Sequence, residues 1–109
     1  MATHDFGIMP FAPKEGTRYD EYEPYKYNYI SVDDAYLEDL VSSFDSIDFY
    51  WHTLDIPGKG LAYCGITLIP PSSMPDFLAI IENINELSNL KFLMQEAYRK
   101  GKWIIHYGL

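Results

Sequence analysis

His52 and His106 are the side chains of this sequence best suited to moving a proton, because imidazole titrates near neutral pH. Each stands in an aromatic, strand-like run, Asp48 to Leu54 and Trp103 to Tyr107. Tyr63 and Tyr27 supply hydroxyl groups that could orient a substrate beside His52. The candidate catalytic residues are therefore His52, Tyr63 and His106. The element order derived below sets the two histidines on opposite edge strands, about three strand spacings or roughly 14 Å apart. That is too far for a shared proton or metal within one chain, although a dimer could shorten it. A surface or interface histidine bonded to a neighbour explains each of them more simply. Cys64, the one cysteine, is expected to face the core beside Trp51 as an inert small hydrophobe. A Cys–His pair would need His52 on the same side, and strand alternation puts it on the other unless a bulge intervenes.

The remaining motifs carry less. His4-Asp5 has metal-ligand types but no partner spacing. Gly58-Lys59-Gly60 lacks the spacing and the following helix of a phosphate-binding loop. Asp33-Asp34 and Glu38-Asp39 climb around a helix instead of converging as in a calcium loop. No metal and no cofactor are expected, and the chain reads as a binding protein before an enzyme.

The elements that must position these residues are organised around Asp48 to Pro71. Two apolar, aromatic runs flank Asp55 to Gly60, where Pro57 and Gly58 suit a turn. The expected hairpin pairs Leu54 with Leu61. It sets His52 opposite Tyr63 and Tyr50 opposite Gly65 on one side, with Trp51 opposite Cys64 and Phe49 opposite Ile66 on the other. A strand is expected at Tyr25 to Val32 and a helix at Asp33 to Phe44, capped by Asp33 or Ser31. After Pro70-Pro71, two apolar stripes over Met74 to Lys100 predict helix. Unbroken, it would run about 40 Å against about 23 Å for a seven-residue strand. A break is expected near Ser88-Asn89, with Gly101 as the C-cap. Lys102 to Tyr107 closes the order β-α-β-β-α-β.

That order is the ferredoxin-like pattern: an α+β sandwich with a four-stranded antiparallel sheet and both helices on one face. Residues 1–24 are expected to be a partly ordered N-terminal arm and 25–109 a single domain. Phe6, Ile8, Met9 and Phe11 argue against a wholly disordered arm. The helix-free face would carry Tyr25, Tyr27, Tyr29, Tyr50, His52, Tyr63 and Thr67, with either His106 or the Trp103, Ile105, Tyr107 set from the last strand. Tyr25, Tyr27, Tyr29, Tyr50, His52 and Tyr63 are thus the candidate ligand- or interface-binding residues. A face so apolar needs a cover: a second copy of the chain, the arm, or a ligand in a cleft.

Composition narrows the partners. The 109 residues fit one domain. A 17% aromatic content with 10 Tyr suits a binding surface. A formal charge of −8 argues against nucleic acid and against anionic membranes. Met1 to Phe11 lacks the charged start and apolar run of a signal peptide, so a cytoplasmic location is expected. The favoured function is a small acidic interaction module that homodimerises through its tyrosine-rich sheet face. The alternatives are a small enzyme using His52 as acid or base, and an acidic inhibitor or immunity-type protein for a basic partner.

Overall fold

Thr3–Ile8 forms β1, a strand in the interior of the sheet with His4 to Gly7 all buried. The structure is a computed structural model describing residues 2–109. β1 pairs antiparallel with β2 (Tyr29–Asp33) on one side and with β6 (Ile104–Tyr107) on the other. β6 pairs with β5 (Ile66–Ile69), β5 with β3 (Asp48–Trp51), and β3 with β4 (Pro57–Lys59). The result is one six-stranded antiparallel sheet in the order β2-β1-β6-β5-β3-β4.

The expected four-stranded ferredoxin-like sheet is therefore wrong, for two physical reasons. Gly7 interrupts the apolar run of β1, but it is required there: a Cβ on Gly7 would stand 2.7 Å from Tyr27 Cβ, so the missing side chain makes room for that ring. The expected hairpin also fails. Pro57–Lys59 forms an edge strand on the outer side of β3, where the missing N–H of Pro57 is tolerated. Trp51 then pairs with Thr67, and Tyr50 with Leu68. The Trp51 indole lies over Gly58, where a Cβ would meet it at 2.5 Å, and its Nε1–H donates to the Gly60 carbonyl at 2.9 Å.

The segment expected as a helix after β2 is mostly 3₁₀ turns, with one α-turn, α1 (Val41–Phe44). Asp33 caps the first of these turns through Ala35 N–H at 2.9 Å. The long helical region is broken as anticipated: α2 (Met74–Ile81) is followed by a 3₁₀ turn at Asn85–Leu87, and α3 (Ser88–Lys100) starts at Ser88. Gly101, at φ 66, takes the left-handed C-cap. No helix among the described residues is long and apolar enough to cross a membrane.

Alternation sorts the sheet into two faces. Phe6, Val32, Phe49, Ile69 and Ile104 pack with Phe44, Phe77, Ile81, Leu90 and Met94 from the helical layer. Phe77 stacks on Phe44 at 4.4 Å and meets Phe6 and Phe49 edge-on. On the opposite face, Met9, Ile66, Leu68, Ile105 and Tyr107 form a second cluster with Tyr19, Tyr27, Tyr50, Leu54 and Trp103. Tyr19 and Tyr27 come from the connection between β1 and β2, so this connection covers part of the face that the helices leave open.

Phe77→Ala removes the ring that three aromatic contacts share and leaves a cavity under a rigid sheet. It should destabilise the chain by about 3–5 kcal/mol, read as a lower urea midpoint with an unchanged slope.

Candidate functional site

The sheet brings together two groups of chemistry-bearing side chains. The first lies at one end of the helical face. His4 on β1 and His106 on β6 share that face because Phe6 pairs with His106, and His4 lies two residues further along the same side. Both imidazoles are fully buried. Their rings stack at 5.1 Å, with His4 Nδ1 2.9 Å from His106 Nε2. His4 Nε2 lies 2.8 Å from Asp34 Oδ1, and the Tyr63 hydroxyl donates to the same oxygen. His106 Nδ1 lies 3.2 Å from Thr67 Oγ1, which accepts the Ala62 N–H at 2.8 Å.

One set of protons satisfies every member. Asp34, an ionised carboxylate, only accepts. His4 therefore donates from Nε2 and accepts at Nδ1. His106 donates from Nε2 and accepts the Thr67 hydroxyl at Nδ1. The chain Ala62, Thr67, His106, His4, Asp34 thus points one way, toward a single negative charge. Electrostatics agree. Burial, with His4 beside it, pushes the His106 imidazole down to about 3. The Tyr63 and His4 hydrogen bonds hold the Asp34 carboxyl below its usual range. The bond to Asp34 is the first cause of the Tyr63 phenol being pushed up to about 12.

The second group lines a cleft of about 320 Å³ on the opposite face, between the β1–β2 connection and the ends of β5 and β6. Asp20, Tyr22, His52, Cys64 and Tyr107 are among its walls. β3 stops at Trp51, and His52 takes φ 65, the one positive φ of a non-glycine residue among those described. Few side-chain-bearing residues adopt that conformation, and it often marks a functional constraint. Here it turns the ring out of the strand. His52 N–H donates to the Ile66 carbonyl at 3.0 Å and Tyr19 N–H to the His52 carbonyl at 2.7 Å, which fixes the backbone on both sides. Behind the cleft, buried Asp5 accepts hydroxyls from Tyr22 and Ser31. The Asp5 bond is the main cause of the Tyr22 phenol being pushed up to about 12. Burial is the first cause of the rise at Tyr107.

The expected site residues are thereby redistributed. Tyr27 and Tyr50 stand on the face opposite the helices. Tyr29 is exposed on edge strand β2, and Tyr25 is exposed in a 3₁₀ turn at Pro24–Lys26. Tyr63 lies in a loop and serves the buried relay, and Thr67 faces the helical layer beside His106. His106 therefore belongs to the interior, and Ile105 and Tyr107 are the residues of β6 that face the other way. His52 and His106 do not meet. Gly65, expected under Tyr50, lies under His52 instead: a Cβ there would be 2.8 Å from Nε2. Cys64 is exposed, not core-facing. His4, Asp34 and Asp20 carry the polar geometry without having been singled out for it. The period-two pattern His4, Phe6, Ile8 was the available signal for His4. Nothing local marks Asp34 or Asp20.

No group of three or more His, Cys, Asp or Glu among the described residues is arranged to hold a metal ion. Comparison with family models, with curated proteins and with solved structures finds no match for this chain.

His106 binds its proton more weakly folded than unfolded, where an imidazole titrates near 6.5. Its contribution is intact above that pH and is lost as the pH falls toward 3. The loss approaches about 1.4 kcal/mol per pH unit, and Asp34 adds a loss of the same sign below the ordinary carboxylate range. His106→Gln can still bond both neighbours without titrating. Urea unfolding at pH 7.5 and pH 5 should therefore show a smaller pH dependence in the variant than in the wild type.

Proposed function

We propose that this protein is a small cytoplasmic interaction module whose first partner is a second copy of itself. The reading rests on one observation: strand β2 ends the sheet with its outer edge unpaired and begins at an exposed tyrosine, Tyr29, four residues after exposed Tyr25. Tyr22 is 65% exposed, Tyr25 73% and Tyr29 44%. Tyrosine rings bury apolar area while keeping a hydroxyl for water or a partner, which is why they concentrate at interfaces. An open edge is a template for pairing with another strand. Two copies of β2 set antiparallel across a two-fold axis would pair their edges and bring the exposed tyrosines of each against the other, so that one surface serves both partners.

The sheet face itself is a poorer candidate than the sequence suggests. Tyr19 and Tyr27 already cover part of it, which moves the proposed contact outward to the edge. The acidic surface fits a partner that docks by shape and aromatic contact, since two copies of a −8 chain repel at long range.

Light scattering on the purified chain should read twice the 12.6 kDa of the monomer. Added salt should tighten the dimer by screening like charge. Tyr25→Asp combined with Tyr29→Asp should yield monomer with an unchanged circular dichroism spectrum. A wild-type protein that stays at 12.6 kDa at high micromolar concentration would refute the reading.

A further inference from the structure

The cleft on the open face holds groups that self-association leaves unused. His52 Nδ1 is 2.9 Å from Asp20 Oδ1 and 3.1 Å from the Tyr19 carbonyl oxygen. Both partners are acceptors, so the neutral ring carries its proton on Nδ1 and keeps a lone pair on Nε2. Among the described residues, no group hydrogen-bonds Nε2. Nε2 is directed at Gly65, where the missing side chain leaves space for it. Cys64, the residue before Gly65, is exposed and lines the same cleft. Arg18 Nε donates to the other oxygen of Asp20, Oδ2, at 2.6 Å and helps hold the carboxylate in place. A thiol and an imidazole on the walls of one cleft, with a carboxylate fixing the tautomer that leaves Nε2 unprotonated, are the residue types that nucleophilic catalysis by cysteine uses.

We propose that this cleft is a thiol acyl-transfer site, with Cys64 as nucleophile, His52 as general base and Asp20 as the residue that positions His52. Ile66 and Leu109 give the cleft apolar wall, and its volume suits a small ligand. The substrate class is a small activated acyl compound, an ester or thioester. His52 Nε2 takes the Cys64 proton as sulfur attacks the carbonyl carbon. An S–C bond forms, the bond from carbon to the leaving oxygen or sulfur breaks, and Nε2 returns the proton to that leaving group. Water then attacks the acyl-cysteine. His52 takes the water's proton, the S–C bond breaks, and the carboxylic acid departs as the thiol is reprotonated. Nothing in this scheme depends on the dimer.

The test uses the full chain with p-nitrophenyl acetate, reading nitrophenolate release and locating the acetyl group by peptide mass spectrometry. The wild type should carry one acetyl group on Cys64. His52→Asn is the informative variant, because Asn tolerates the left-handed backbone at this position. It should lower the rate of acylation about 100-fold. Asp20→Asn should lower kcat about tenfold with little change in KM, as expected for a residue acting through His52. Iodoacetamide, which needs no acyl pocket, should alkylate Cys64 more slowly in His52→Asn than in the wild type. Matching melting temperatures would show that both variants are folded. Equal acylation and alkylation rates in wild type and His52→Asn, or acetyl groups found only on lysine or tyrosine, would overturn the proposal.

Discussion

The pairing of β1 between β2 and β6 is the constraint on which the rest of the molecule depends. Asp5 lies opposite Tyr107 and Ser31 at once, so residues from the two ends of the sequence meet in the middle of the sheet. Without β1, strand β2 would have no neighbour, since it touches the sheet nowhere else. The same strand divides its side chains between the faces, Phe6 and Ile8 to the helical layer and Asp5 toward the connection that crosses the other side. Contacts so distant in sequence carry a loop-closure cost that must be met before they stabilise anything. The sheet therefore draws together segments from the whole length of the chain.

Burial of polar groups is managed by the same device on both faces, a carboxylate facing hydroxyl donors. Asp34 receives Tyr63 and His4, while Asp5 receives Tyr22 and Ser31. Neither carboxylate is paired with Lys or Arg. Among the described residues, no buried side-chain nitrogen or oxygen lacks a hydrogen-bond partner. Charge-assisted bonds from phenols satisfy these groups where a chain with 16 acids and 8 bases has few cations to spare. The abundance of tyrosine thus serves the interior as well as the surface.

Chemistry collects where strands end. His52 follows the last residue of β3, Cys64 and Gly65 precede β5, and Gly108 follows β6. A Cβ on Gly108 would stand 2.1 Å from the Tyr63 carbonyl oxygen, so glycine is needed for the two segments to pass. That close approach holds the 62–65 loop with Tyr63 on one side of the sheet end and Cys64 beside the cleft on the other. One short loop therefore contributes to both polar groups.

Composition and periodicity by themselves determined the α+β class, the core face of β3 through Phe49, the interruption before Ser88, the αL cap at Gly101 and the existence of a helix-free face bearing tyrosines. These follow from local rules: alternation, helical spacing and the φ that glycine permits. Tertiary structure alone decided the number and order of strands. Hydrogen bonding between strands depends on which edges meet, and nothing in Thr3–Ile8 or Pro57–Lys59 states their partners. It also decided the fate of each candidate residue. Alternation placed His52 and Cys64 on opposite faces, but that rule lapses where a strand ends, and a left-handed turn at His52 brought both to one cleft. His106 obeyed alternation throughout. Its burial beside His4 came from a neighbouring strand about a hundred residues earlier in the sequence, a distance over which no local pattern carries information.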